Sequence, residues 1–285
     1  MIWPAEAIWQ AVSPLLPGFT VEILPEIDST NTELMRRARA GQQDPVLLVA
    51  ERQTAGRGRL GREWLSSATD GKNVHIAAEP PQGGIVPSGG SDTRSGAASG
   101  LTFSLGMPLS PVDWSGLSLA VGLSVAQTLH PKLMLKWPND IWLDGRKLAG
   151  ILIETAIAGD ARYVVVGIGI NMEAPAADGM RTPPAGLREV LPSVQAPDVL
   201  EHLMVPLVQA ILRFAQQGFA PLVAPYATRD LLQGCEVVCT DGMTGIARGV
   251  DASGALMVET GTGLKKITSA EVSVRPVAHR TLDHG

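Results

Sequence analysis

One short stretch, residues 50–64, constrains the folding and function of this chain more than any other. It reads Ala-Glu-Arg-Gln-Thr-Ala-Gly-Arg-Gly-Arg-Leu-Gly-Arg-Glu-Trp, so glycines and arginines are interleaved. Glycine permits backbone conformations and close approaches that a side chain would block. The guanidinium group of arginine matches the geometry of phosphate and carboxylate. Because the whole chain has a formal charge of −5, this cluster of cations predicts a loop that closes over an anion.

Two other interpretations of this loop remain open from the residues alone. It is compatible with a solvated surface turn. Gly56, Gly58 and Gly61 also satisfy the G-x-G-x-x-G pattern of dinucleotide-binding proteins, which follows a strand and opens an amphipathic helix. Residues 45–50 are a plausible strand, but residues 62–67 do not begin a helix with an apolar stripe. A nicotinamide-dependent dehydrogenase is therefore an alternative of another class, with less support.

Composition narrows the class of protein. The 285 residues are 45% apolar and 18% charged, which is ordinary for a soluble globular protein with one large and one small domain. The acidic balance argues against a dedicated nucleic-acid binder. We expect no signal peptide and no membrane-spanning run, and hence a cytoplasmic protein. Cys235 and Cys239 are more compatible with buried thiols than with a disulfide or a zinc site.

Periodicity and turn residues predict an α+β fold. Residues 1–27 read as an irregular lead-in with one short helix. Thr30-x-x-Glu33 fits a capping box and Gly41 fits a C-terminal cap, so a helix is predicted between them. The other predicted elements are strands at 45–50, 101–105, 133–137, 141–143, 148–154 and 163–171, helices at 114–129 and 198–217, and a partly helical stretch at 219–232.

These elements divide the chain into two predicted domains. Residues 1–232 form the larger one, a mixed or antiparallel sheet with helices on one face. Within it, residues 68–100 are rich in glycine, serine and proline, which predicts a mobile insertion with a short strand at 72–78. From residue 233 to 285 short apolar strands alternate with glycine turns, which predicts a small β-barrel.

A second polar cluster, Lys136-Trp-Pro-Asn-Asp140, lies at the end of a predicted strand. Taken alone, it is also ordinary turn chemistry. Across the predicted hairpin, Lys147 enters an apolar strand, and Gly150 leaves room for a group to pack against the backbone. Gly167 and Gly169 alternate on one face of the next strand, which predicts either a ligand lying flat on the sheet or a bulge.

In this order the motifs resemble those of the biotin protein ligases, which attach biotin to a lysine of a carrier protein. The matching stretches are 28–31, 50–59, 135–141, 145–152, 167–171 and 271–275. The resemblance implies a class II synthetase-like ligase domain and a C-terminal barrel similar to an SH3 fold. It implies the use of ATP and Mg²⁺, a biotinyl-5′-AMP intermediate, and transfer to a biotin carboxyl carrier protein. It gives no nucleic-acid or membrane partner and leaves a homodimer open.

The resemblance also implies roles for individual residues. Biotin would meet Ser29, Thr30, Asn31, Gln53, Arg57, Gly58, Arg59, Lys147, Gly167 and Gly169, with Trp64 as a cover. ATP would meet Arg59, Asn139, Lys147, Asn171 and Arg275. The biotin carboxylate and the α-phosphate are both anions, so cations must be fixed around them before reaction, a role that falls to Arg57, Arg59 and Lys147. Asp140 would receive the incoming lysine ammonium. Asn139 would contact a phosphate or the metal, Lys136 would only hold the turn, and no metal ligand is assigned.

Two features depart from the family pattern. Only 27 residues precede Asp28, too few for the helix-turn-helix domain of family members that repress transcription, so we expect no DNA binding. The insertion at 68–100 follows the glycine-arginine loop directly, where a shorter connection is expected.

The alternatives are a lipoate-type protein ligase, disfavoured by the combination of K-W-P-N-D with G-R-G-R, and a non-catalytic repressor that senses biotin.

Overall fold

A computed structural model describes residues 1–58, 64, 99–158, 161–175, 184–239, 242–268 and 275–276. Almost all of the predicted insertion at 68–100, with its short strand at 72–78, lies outside the described residues. Arg59 and the rest of the glycine-arginine loop up to residue 63 lie outside them as well.

A mixed sheet of seven strands forms the centre of the larger part of the chain. Its order is β1-β2-β3-β7-β6-β5-β4. Strands β1 and β2 run parallel, and the other neighbouring pairs run antiparallel. The strands are β1 (Thr20–Ile27), β2 (Val46–Gln53), β3 (Gly100–Pro108), β4 (Met134–Lys136), β5 (Asp140–Leu143), β6 (Arg146–Ala158) and β7 (Ala161–Asn171).

Helices cover both faces of this sheet. They are α1 (Ala5–Val12), α2 (Thr30–Arg39), α3 (Leu117–Leu129), α4 (Ala196–Gln217) and α5 (Val223–Ala227). Alternate residues of a strand point to opposite faces, and Leu47 and Val49 of β2 belong to the core that contains α1, α3 and α4. Val46 and Leu48 pack instead with apolar residues of α2. None of the described helices combines the length and the apolarity that crossing a membrane requires.

The predicted α+β class with a mixed sheet is confirmed, but the placement of all helices on one face was wrong. Helix α2 has the sequence Thr-Asn-Thr-Glu-Leu-Met-Arg-Arg-Ala-Arg, in which only Leu34, Met35 and Ala38 are apolar and buried. Such a helix resembles a solvated surface element. Its short apolar stripe is nevertheless enough to cover the sheet, because β2 and β7 present large apolar residues beneath it.

Strand β1 corrects the prediction that residues 1–27 form an irregular lead-in. The alternation of this strand is obscured by Glu22, Pro25 and Glu26. Proline is tolerated at the edge of a sheet, where its missing N–H faces away from the ladder. β1 is an edge strand paired only with β2, so the interruption costs little.

Helix α2 starts at Thr30, one residue earlier than predicted. Ser29, rather than Thr30, is the N-cap, and its side chain accepts a hydrogen bond of 3.4 Å from the Thr32 N–H. The hydroxyl of Thr30 therefore does not cap the helix and contacts Gln53 and Ser104 instead. At the other end Gly41 has φ of +97°, which confirms its predicted role as a left-handed cap.

The predicted small C-terminal β-domain is confirmed. Its sheet has the order β11-β10-β9-β8-β12 and consists of β8 (Glu236–Val238), β9 (Thr244–Val250), β10 (Leu256–Thr260), β11 (Gly263–Ile267) and β12 (Arg275–Pro276). The Trp137 Nε1–H donates to the Gly254 carbonyl at 3.0 Å. A Cβ added to Gly254 would lie 2.8 Å from Cα of Gly116, just before α3. The small domain therefore docks closely against the turn that follows β4 and against the start of α3.

Asp230 is a buried carboxyl between the two parts of the chain. Its Oδ1 accepts a hydrogen bond of 2.9 Å from the Leu232 N–H, and Oδ2 has no hydrogen-bond partner among the described residues. Burial raises the pKa of Asp230 from 3.8 to about 6, against a smaller lowering by the Leu232 N–H. Burial also raises the pKa of Tyr226, to which the charge of Asp230 contributes.

Asp230→Asn is expected to flatten the dependence of stability on pH. Since the folded pKa is above the unfolded one, the contribution of Asp230 is fully present below pH 3.8 and is lost as pH rises through about 6. Between these two pH values the free energy of unfolding of the parent should fall by up to about 3 kcal/mol because of this group. Asparagine keeps an oxygen that accepts from the Leu232 N–H but does not titrate. Urea unfolding at pH 4.5 and 7.5 measures the difference, with the exposed Glu201→Gln on α4 as the control. Equal pH slopes in parent and variant would contradict the assignment.

Candidate active site

The N-terminus of α2 carries three of the sequence-predicted residues onto the sheet. Ser29, Thr30 and Asn31 are all buried. The Thr30 N–H donates to Oε1 of Gln53 at 2.8 Å, and the Thr30 hydroxyl lies 3.2 Å from the same oxygen. The sequence predicted these four residues from two separate motifs. The structure brings them together because β2 ends beside the start of α2.

Two residues that the sequence analysis missed complete this polar network. Ser104 of β3 shares a hydrogen bond of 2.7 Å with the Thr30 hydroxyl and donates to Oδ1 of Asn31 at 2.6 Å. Asn31 Nδ2 in turn donates to Oε2 of Glu154 at 3.0 Å. The sequence signals that could have identified them were weak: Ser104 is a serine in the middle of an apolar strand, and Glu154 is a single carboxylate in another. Because Glu154 accepts the hydrogen bond from Nδ2, it orients the Asn31 amide and, through Oδ1 of Asn31, the hydroxyls of Ser104 and Thr30.

Beside this network the sheet presents a row of small residues. Ala50, Thr102, Gly169 and Gly150 are neighbours across β2, β3, β7 and β6. Trp64 lies on this row, since a Cβ added to Gly169 would be 2.2 Å from Cε2 of its ring and one added to Gly150 would be 3.2 Å from Cζ3. We call these four residues the small-residue row.

Gly167 lies one step along the sheet from this row and is covered by protein. A Cβ at Gly167 would be 2.0 Å from Oδ1 of Asn31. The pairing of β7 with β3 and β6 runs through Gly167 and Gly169 without a shift of register, so no bulge explains these glycines. They permit the close approach of Asn31 and Trp64, and a contact of either glycine with a ligand stays a prediction.

Lys147 and Asp140 form an ion pair at the far side of the small-residue row. Lys147 Nζ is 2.8 Å from Oδ1 of Asp140. The same ammonium is 5.7 Å from the centroid of the Trp64 ring, and a Cβ on Gly150 would be 3.4 Å from it. The sequence analysis selected both charged residues but not their pairing. The pair results from the antiparallel β5–β6 hairpin, in which Asp140 is opposite Gly150 and Lys147 is opposite Trp142, two residues further along β5.

The two asparagines assigned to ATP have structural contacts in this molecule. Asn139 Nδ2 donates to the Ile151 carbonyl at 2.9 Å, and Asn171 Nδ2 donates to the Ala185 carbonyl at 3.1 Å. Lys136 Nζ lies 4.6 Å from the centroid of the Trp142 ring, in keeping with its predicted role in the turn. The nucleotide contacts of Asn139 and Asn171 remain predictions.

A cavity of about 630 Å³ opens beside residues 151–155 of β6. Pockets of this size accommodate cofactor-sized ligands. Arg57, Gly58, Asn139 and Glu154 line it together with the start of α3 and the loop that contains Gly254. Arg59 lies outside the described residues. For Arg275 only the backbone is described, and it pairs with Val238 in the small sheet.

Comparison with known proteins gives two matching family models. The model for the biotin/lipoate A/B protein ligase family matches residues 73–171, and the model for the biotin protein ligase C-terminal domain matches residues 238–275. The chain is 33% identical over 262 residues to the biotin--[acetyl-CoA-carboxylase] ligase of Paracoccus denitrificans, covering 88% of this chain and 98% of that protein. It is 32% identical over 274 residues to the bifunctional ligase/repressor BirA of Escherichia coli (strain K12), covering 91% of this chain and 75% of that protein.

A solved structure agrees with these relatives. The biotin protein ligase from Aquifex aeolicus in complex with biotin and ATP matches with a TM-score of 0.69 and 28% identity, over 90% of this chain and 99% of that one. The order of the motifs, the sheet with its small C-terminal domain and the relatives all lead to one assignment. The chain belongs to the biotin protein ligase family.

Proposed function

We propose that this protein is an ATP-dependent ligase that activates biotin as biotinyl-5′-AMP and transfers the biotinyl group to a lysine of a biotin carboxyl carrier protein. One observation carries the proposal within this family. A buried polar network lies on one side of the small-residue row, and a lysine ammonium lies on the other side. Biotin has the same polarity, with a ureido group at one end, an apolar bicycle in the middle and a carboxylate at the other end.

The network around Thr30 suits the ureido end of biotin. A ureido group has both N–H donors and a carbonyl acceptor, so its site needs acceptors and donors with fixed orientation. Because the Asn31 amide is oriented by Glu154, Ser104 donates to Asn31 and the Thr30 hydroxyl donates to Ser104. The Thr30 oxygen then presents a lone pair to a ureido N–H. We infer that Ser29, Asn31 and Gln53 complete this end of the site.

Lys147 suits the carboxylate end. Activation joins the biotin carboxylate to the α-phosphate of ATP, so two anions must approach each other before pyrophosphate leaves. A cation fixed beside them in a site that excludes water stabilises the charge that develops on the phosphate. Lys147 lies next to Gly150 at the edge of the row, and we infer that Arg57 and Arg59 add further cations from the glycine-arginine loop.

ATP is the second substrate, and Mg²⁺ accompanies it. Within the described ranges there is no group of three or more His, Cys, Asp and Glu side chains that could hold a metal ion. We infer that the ion is held mainly by phosphate oxygens and water, as is usual for nucleotide-bound Mg²⁺. When bound, Mg²⁺ neutralises phosphate charge. We infer that Asn139, Asn171 and Arg275 contact the nucleotide from the protein side.

Asp140 suits the second step, in which the carrier lysine attacks the acyl phosphate. Its carboxylate already holds the ammonium of Lys147 at 2.8 Å, so the position accommodates a lysine head group. We infer that the anionic adenylate becomes the partner of Lys147, and that Asp140 then receives the acceptor ammonium and helps it lose its proton. The acceptor belongs to a biotin-dependent carboxylase.

The alternatives have less support. A dinucleotide-binding dehydrogenase needs a parallel sheet of βαβ units, whereas only the β1–β2 pair runs parallel among the described strands. Lipoate offers a dithiolane ring without hydrogen-bonding groups to the polar network, so binding it would leave buried polar atoms unpaired. The network around Thr30 and Asn31 therefore favours biotin over lipoate.

The exchange of labelled pyrophosphate into ATP tests this function. Biotin should stimulate the exchange, and lipoate at the same concentration should not. Purified carrier domain should then become biotinylated in the presence of ATP and Mg²⁺. Exchange stimulated by lipoate but not by biotin would replace the proposal with lipoyl ligation, and exchange with neither acid would reject both.

A further inference from the structure

Thr102 is a buried residue to which neither the family motifs nor the network around Thr30 assign a role. It lies in the middle of β3 and is 6% exposed. Its Oγ1 is buried and has no hydrogen-bond partner among the described residues. Leaving a buried hydroxyl without a partner is unfavourable, and native structures rarely do so. Such a group therefore points to a ligand that completes it.

The position of Thr102 shows where that ligand would lie. Thr102 belongs to the small-residue row, directly opposite Ala50 on one side and Gly169 on the other. Side chains opposite each other on one face of an antiparallel pair are about 5 Å apart. Ala50 has only a methyl group and Gly169 has no side chain, so the Thr102 hydroxyl borders backbone surface over which the Trp64 ring lies.

The residues on either side of the row define how a bound biotin would be oriented on it. Ser104, two residues along β3 on the same face, belongs to the polar network that we assign to the ureido group. Two residues of a strand span about 7 Å, which is comparable with the length of the fused rings of biotin. Lys147 lies beside Gly150 at the other edge and is assigned to the carboxylate. Thr102 therefore lies level with the ring that is remote from the ureido group.

We propose that the Thr102 hydroxyl donates a hydrogen bond to the ring sulfur of biotin and thereby distinguishes the thiophane ring from its carbon analogue. The inference rests on the proposed function and adds a specificity-determining residue to it. A thioether sulfur is a weak acceptor, and it is the polar atom that the second ring of biotin offers. The rest of that ring is hydrocarbon, which Ala50, Gly169 and Trp64 accommodate without polar partners.

Binding measurements with two ligands and two variants test this contact. The ligands are biotin and its analogue in which a methylene group replaces the sulfur, both titrated by calorimetry without ATP. Thr102→Val keeps the shape of the side chain and removes the hydroxyl. It should weaken biotin binding about three- to tenfold and leave the Kd of the methylene analogue unchanged. Thr102→Ser keeps the hydroxyl and should keep the preference for biotin.

The controls separate this contact from packing and from the proposed function. Thr244→Val, on the exposed surface of β9, should change neither affinity. An equal loss for both ligands in Thr102→Val, or no loss for either, would overturn the inference. If Thr102→Val does not fold, the parent still decides, because equal affinity for the two ligands would also overturn it. Absence of biotin binding to the folded parent would reject the proposed function itself.

Discussion

The Lys147→Ala variant is expected to activate biotin about 10²–10³-fold more slowly than the parent while it remains folded. Lys147 Nζ lies 2.8 Å from Asp140, and a Cβ on Gly150 would be 3.4 Å from it, so the ammonium is held at the end of the small-residue row before any substrate arrives. A cation fixed in advance does not reorganise while charge develops on the phosphate. Biotin-dependent exchange of pyrophosphate into ATP measures the loss.

A second lysine of the chain provides a matched control. Lys266 is also paired with an aspartate, at 2.6 Å from Asp251, and its side chain is 49% exposed against 40% for Lys147. Lys266→Ala removes a comparable ion pair in the small C-terminal domain. Partly exposed pairs contribute at most about 1 kcal/mol, so both variants should unfold at similar urea concentrations. Exchange at the parental rate in folded Lys147→Ala would exclude Lys147 from the activation step.

Much of the fold was predictable because its elements have local signals. The β5–β6 hairpin follows from Asp144-Gly145, and both residues have positive φ in the structure. Gly41 ends α2 as its sequence context indicates. Strand β1 could not be predicted, because its glutamates and its proline interrupt the apolar alternation that indicates a strand. It is ordered by its pairing with β2. The position of α2 on the second face depends on Val165 and Tyr163, more than a hundred residues away.

The site shows a similar division. Ser29 to Asn31, Gln53, Asp140 and Lys147 were selected from short motifs. Their mutual contacts depend on the sheet register, which places Ser104 opposite Gly167 and Thr102 opposite Gly169. Ser104, Thr102 and Glu154 lie in strands whose sequences read as ordinary core. A polar residue in such a strand becomes informative only when its neighbours across the sheet are known.

The Asp140→Asn variant is expected to form biotinyl-5′-AMP at nearly the parental rate and to transfer biotin to the carrier about 10²-fold more slowly or worse. Asparagine keeps the size of aspartate but neither attracts an ammonium nor accepts its proton. Lys147 keeps its charge in this variant, so the cation that activation requires is still present. The loss should therefore fall on the step in which a second lysine must be received.

Single-turnover kinetics separate the two steps. Preformed biotinyl-5′-AMP on the enzyme is mixed with carrier protein, while pyrophosphate exchange is followed in parallel. Glu259→Gln is the control, since it removes a carboxylate that is paired with Arg248 at 2.5 Å far from this site. The pH dependence of transfer tests whether Asp140 helps the acceptor lysine lose its proton. If it does, the transfer rate of the asparagine variant should rise about tenfold for each pH unit below the lysine pKa of about 10.4, because only the lysine that is already deprotonated in solution then reacts. The parent should depend on pH less steeply. An equal loss in both half-reactions would instead place Asp140 beside the nucleotide, where the charge that it contributes would serve activation.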